Sequence, residues 1–170
     1  MERGDTGIMD PALIKARELL ECVTPLRLDC GRQCGAACCQ PDEDGKGGML
    51  LFPGEEELYS SLPEGFDIEQ TDEGLLLTCE GFCERNERPL SCRLFPLFVF
   101  PEGETGYTLE LDPRGHIVCP LCEYGIRAFS PEFVNAVKQA AEVLMGSEKQ
   151  RAFLRNTAQR IRDMQKWREE

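Results

Sequence analysis

The sequence predicts an α+β fold on three observations. Apolar residues recur at helical spacing near both ends of the chain, behind capping residues followed by proline. Two apolar runs between them are broken by turn residues. From Cys30 to Gly48 the composition turns to Cys, Gly, Asp and Gln with almost no aliphatic side chains. Together these describe a small irregular domain with short hairpins, an N-terminal helix and two C-terminal helices. Its 170 residues suffice for one modest core, so residues 1–170 are read as one domain. Within it lie a cysteine-rich segment over 30–122 and a helical pair over 130–168.

Asp10 and Pro11 open the first helix as N-cap and first helical residue, and the helix is expected to reach about Cys22. Leu13, Ala16, Leu20 and Val23 share its inner face. "GMLLF" reads as a short strand and "PGEEELYSSL" as a short helix. "FDIEQTDEGLLLTC" is a hairpin turning near Asp72 to Gly74, and "PLFVFPEGETGYTLEL" a second one turning in "EGETG". Ser130 and Pro131 begin the next helix, with Phe133, Val137, Ala141 and Leu144 inward and Gly146 as its stop. Ser147 and Gln150 form a capping-box pattern for the last helix, whose stripe is Phe153, Leu154, Ala158, Ile161 and Met164.

A net charge of −12 repels phosphate backbones and anionic lipid surfaces, which argues against nucleic-acid and membrane binding. No run approaches the roughly 20 apolar residues of a membrane span, and the opening residues lack an apolar signal segment. The chain is read as cytoplasmic. Residues 147–170 carry seven Lys+Arg against four Asp+Glu, a net +3, which leaves −15 on the rest. This helix is either a solvated face docked on an acidic body or a site for a protein partner, with Trp167 as the anchor.

Ten cysteines in a chain expected in a reducing compartment point to metal ligation ahead of disulfides, with a disulfide framework as the alternative. Nine fall into three groups. Cys30, Cys34, Cys38 and Cys39 lie in "CGRQCGAACC"; Cys79, Cys83 and Cys92 follow; Cys119 and Cys122 form "CPLC". Two- and three-residue spacings let both thiolates of a pair reach one ion from a single turn. Side chains of neighbours such as Cys38 and Cys39 usually diverge, so the pair is expected to serve two centres or to bridge them. Positive φ is expected at Gly31 and Gly35. Arg32, Arg85, Arg88 and Arg93 sit on these segments and are read as compensating thiolate charge. Cys22 is expected to be a small, partly buried helix residue. His116, three residues before Cys119, is either a member of the third group or a surface residue.

"CGRQCGAACC" and "GFCERNERPLSCRLFP" resemble, in that order, the two elements of the YkgJ-like cysteine-cluster family, a zinc- or iron-chelating domain named for its CxxCxxCC signature. Arg88-Pro89, Cys92-Arg93 and Phe95-Pro96 follow its RP-x2-CR-x-FP pattern over roughly residues 30–96. The first element has three residues where the signature has two. The resemblance implies metal chelation by Cys30, Cys34, Cys38, Cys39, Cys79, Cys83 and Cys92; Cys119 and Cys122 are added from their spacing alone. All-sulfur sites favour structural zinc or an iron–sulfur cluster. The chain has no Ser/His/Asp set, phosphate-cradling loop or methyl-donor motif. A zinc-binding module is therefore the leading expectation. An iron–sulfur redox enzyme, or one tied to protein methylation as in one branch of the family, is the alternative.

Overall fold

The computed structural model describes residues 8–40 and 48–169. Residues 41–47 of the cysteine-rich segment and the first seven residues lie outside this description. The protein is α+β, with helices α1 (Pro11–Leu19), α2 (Gly31–Cys34), α3 (Leu90–Leu94), α4 (Gly115–Val118), α5 (Pro131–Gly146) and α6 (Glu148–Glu169). Strands β1 (Met49–Leu50), β2 (Asp67–Thr71) and β3 (Gly74–Thr78) make an antiparallel sheet in the order β1-β3-β2. Strands β4 (Leu97–Glu102) and β5 (Gly106–Leu111) form a separate hairpin, with Leu97 opposite Leu111 and Glu102 opposite Gly106.

Apolar spacing decides the main core. Leu13, Ala16 and Leu20 of the first helical segment meet Phe133, Val137, Ala140, Ala141 and Leu144 of α5 in one buried cluster. Leu97 to Pro101 of β4 are all buried, so this strand is covered on both faces, as a continuous apolar run demands. α6 adds Leu154, Ala158 and Ile161. A smaller core of Leu51, Tyr59, Phe66 and Leu77 lies under the first sheet, with Cys79 and Cys83 against its edge.

The predicted caps form. Asp10 accepts the Ala12 N–H at 2.9 Å, and Ser130 accepts that of Phe133 at 3.1 Å. Three local expectations need correction. α1 ends at Leu19 and leaves Cys22 exposed, because the chain turns toward Pro25 before another helical turn can bury it. α5 continues through Gly146, and Ser147 caps it. Only half of the capping box exists at α6: Ser147 Oγ accepts the Gln150 N–H, while the buried Gln150 side chain donates to Asp10 Oδ2 and the Pro53 carbonyl, both at 3.0 Å. One glutamine thus ties α6 to the start of α1. Met164 is half exposed at the end of the stripe.

The cationic face of α6 is largely occupied by its own chain. Arg155 donates to the Gly103 and Glu104 carbonyls at the tip of the β4–β5 hairpin, and Arg160 to those of Asp72 and Glu73 at the tip of β2–β3. Arg162 lies over the Phe100 ring, 5.4 Å from its centre. The helix straps both hairpins. Its last turns, with Trp167 at 80% exposure, stand clear. Among the described residues, no helix is long and apolar enough to cross a membrane.

Candidate metal centre

The cysteines occupy the part of the chain with the shortest elements. Cys30 starts α2 and Cys34 ends it. Gly35 and Ala36 then take left-handed φ values of +64° and +55°, reversing the chain into a 3-10 turn, Ala37–Cys39. Positive φ falls on Gly35 as expected and on Ala36 instead of Gly31, which is helical. Cys79 and Cys83 lie in the loop after β3, and Cys92 is in α3. Cys119 follows α4, and Cys122 is in the next 3-10 turn, Pro120–Tyr124.

These segments meet. α4 packs against the 3-10 turn of Cys38 and Cys39. Gly81 has φ +90° and sits against Cys39 and Gln40, so closely that a β-carbon there would come 3.1 Å from Gln40 Nε2 and 3.5 Å from the Cys39 carbonyl. A side chain at 81 would be strained by that φ and would have to displace the end of the Gln40 side chain.

Electrostatics reports the same convergence. Burial raises the Cys30 thiol, with Cys34, Asp29 and Cys119 adding to it and Arg88 opposing. Burial drives Cys92 well up, reinforced by Cys39, Cys83, Cys79 and Glu55. Cys83 is raised by burial and relieved by a hydrogen bond from Arg88. The sulfurs of Cys38 and Cys39 are 3.9 Å apart, in hydrogen-bond contact: that contact raises Cys38, together with burial, and lowers Cys39 to about 6, with Arg88 helping and burial opposing. Cys122 stands apart from the rest. Buried beneath Gly115, whose added β-carbon would meet its sulfur at 3.0 Å, it is raised to about 12 by burial, Cys119 and Asp112.

The four arginines divide by role. Burial works against the charge of Arg88, but Cys83, Cys39 and Cys92 outweigh it, so this guanidinium is the cation facing the thiols. Arg93 is buried and turned away. Its Nε donates to the Arg88 carbonyl at 3.0 Å, Nη1 to that of Arg17 at 3.0 Å, and Nη2 to those of Asn86 at 3.0 Å and Arg85 at 3.3 Å. It clasps α1 to the 85–88 turn and does not compensate thiolate charge. Arg32 is exposed beside Asp29, and the Arg85 side chain is exposed. The residue that sequence reasoning missed is Glu55. Fully buried, it pairs with Arg17 and accepts the N–H groups of Phe52 at 3.1 Å and Leu90 at 2.6 Å, which fixes the start of α3 and hence Cys92. Its only sequence signal was its place directly after the apolar run "LLFPG", as the first of three glutamates.

Cys38 and Cys39 do not diverge as expected, because the 3-10 turn brings both sulfurs to one side. A tetrahedral ion with zinc–sulfur bonds of about 2.3 Å holds two sulfurs roughly 3.8 Å apart. The observed 3.9 Å fits that bite. The other thiols surround this pair without closing on it: among the described residues, no three His, Cys, Asp or Glu side chains form a ready ligand group. Completing a shell takes thiol rotation, which deprotonation by an ion supplies a reason for. His116 is exposed on α4. No family model, curated protein or solved structure matches the chain.

Proposed function

We propose that this protein binds a thiophilic metal through clustered cysteine thiolates, zinc in the first instance. The observation that carries the reading is that thiols from separate stretches of chain, Cys30, Cys34, Cys38 and Cys39, then Cys79, Cys83 and Cys92, then Cys119, share one neighbourhood around Arg88. Cys38 and Cys39 supply two donors at tetrahedral spacing. Cys122 belongs to the proposed ligand set through Cys119 only. Arg88 offsets part of the charge that thiolates bring to a divalent ion. The resemblance to the cysteine-cluster family points the same way, and a reducing cytoplasm is the compartment that keeps such thiols available. An iron–sulfur cluster is the second reading, favoured by the number of thiols gathered, which exceeds the four one zinc takes. A protein partner of the basic helix would find the exposed Trp167 at the end of α6.

Anoxic purification followed by metal analysis and visible absorption tests this. A colourless protein with zinc near stoichiometry is expected, with metal lost in Cys92→Ser and kept in Cys22→Ala. Brown protein with inorganic sulfide would replace zinc by the cluster. Metal-free wild type in metal-replete medium, or full occupancy in Cys92→Ser, would overturn the assignment.

A further inference from the structure

Of the ten cysteines, two are exposed, Cys22 and Cys38. They differ in what surrounds them. Cys22 has no sulfur hydrogen-bonded to it among the described residues, whereas Cys38 has the Cys39 sulfur 3.9 Å away on the next residue. An oxidant in solvent reaches both, but only at Cys38 does it meet a second thiol able to close a disulfide.

We propose that Cys38 and Cys39 together are an oxidative modification site that closes to a reversible vicinal disulfide, with hydrogen peroxide as the oxidant. A thiolate of the pair attacks one peroxide oxygen, the O–O bond breaks and hydroxide leaves, giving a sulfenic acid. The other sulfur then attacks the oxidised one; the S–S bond forms, the S–O bond breaks, and the second hydroxide leaves. With the two thiol protons the balance is two thiols and one peroxide to one disulfide and two waters, a two-electron oxidation.

Geometry also sets the character of the product. Adjacent Cα atoms are about 3.8 Å apart, shorter than the roughly 4.4–6.8 Å of ordinary disulfides. The eight-membered ring is strained, and strained disulfides are the easily reduced ones. The bond is therefore a switch and not a staple. The turn must also deform, because the Cys39 N–H donates to the Ala36 carbonyl at 2.8 Å and Gln40 to Ala37 at 3.3 Å. Two donors leave the candidate centre together, so oxidation expels its ion. This last consequence rests on the proposed metal binding; the oxidation does not.

The test treats full-length reduced protein, both chelator-stripped and zinc-loaded, with graded peroxide, then blocks free thiols, digests and fragments the peptides. The peptide following Arg32 carries Cys34, Cys38 and Cys39, so fragmentation assigns the link. The Cys38–Cys39 bond is expected to form first and to be reversed by dithiothreitol. In Cys38→Ser and in Cys39→Ser the early disulfide is lost and dimedone traps a sulfenic acid at the cysteine of the pair that remains, while Cys22→Ala leaves the early phase intact. A first link from Cys38 to Cys34 or any other thiol, or oxidation of Cys22 with Cys38 and Cys39 both reduced, overturns the proposal. Zinc release in step with the link supports the coupling, and a link formed with zinc retained refutes it. A protein that never holds zinc refutes the metal reading and leaves the oxidation map standing.

Discussion

The helix–hairpin body and the thiol-bearing side of this molecule are ordered by different forces. In the body, α1, α5, α6 and the β4–β5 hairpin bury long side chains in one cluster, and each helix start is capped by a residue visible in the sequence. On the thiol side, α2 and α4 bury no aliphatic side chain beyond their backbone, and α3 buries only Leu90 and Leu94, at the margin of the body's own cluster. There Arg93 and Glu55 do the fastening, by satisfying carbonyls and amides from four stretches of chain. Apolar burial is non-directional and tolerates small errors. A guanidinium fork is directional and either fits or does not.

The comparison breaks most visibly in the body. Phe133 is fully buried, and Phe133→Ala is expected to cost about 3–5 kcal/mol from lost transfer energy and a cavity. Urea denaturation measures it. Loss of more than about 1.5 kcal/mol from the proposed zinc-binding free energy in the still-folded variant would show that the two regions are not separable.

On the thiol side, Arg93→Met keeps length and apolar stem while stripping donors from four carbonyls. About 2–3 kcal/mol is expected, since hydrogen bonds to charged groups are worth about 1.5–3 kcal/mol and water reaches part of the exposed 85–88 turn. Hydrogen exchange should rise over residues 85–92 and stay unchanged in α5. Uniform deprotection of the whole chain would mean that the clasp belongs to the main core.

The smallest effect lies where α1 and α6 meet. Burial raises the Asp10 carboxyl, but hydrogen bonds from Ser147, Gln150 and Ala12, with the charge of Lys149, outweigh it and hold the pKa below its ordinary 3.8. The stability it contributes is therefore present above the ordinary value and lost as pH falls through the lower folded value. Asp10→Ala should cost about 1 kcal/mol at neutral pH, as N-cap losses do. The difference from wild type should narrow below about pH 4. A gap that widens in acid would refute the sign.

What was legible in the sequence is what neighbours along the chain decide. Asp10, Pro11, Ser130 and Pro131 mark helix starts because a cap acts within three residues, and both hairpins follow from turn residues between apolar runs. The α+β class and the inward faces of α5 and α6 are local periodicity made three-dimensional. Tertiary structure alone decided the partners of long polar side chains, whose reach exceeds any sequence window. "CERNERPLSCR" presents Arg85, Arg88 and Arg93 as equals, yet only Arg88 faces sulfur, because the carbonyls of α1 and the 85–88 turn claim Arg93. Likewise the closeness of Cys38 and Cys39 depends on a turn forced by two successive left-handed residues, one of them an alanine that no sequence rule would place there. Gln150 was read as a local cap and proved a tie across 140 positions to Asp10. Burial of apolar surface can be inferred from periodicity because any apolar neighbour serves, whereas a buried hydrogen-bonding group needs one particular partner, and only the fold supplies it.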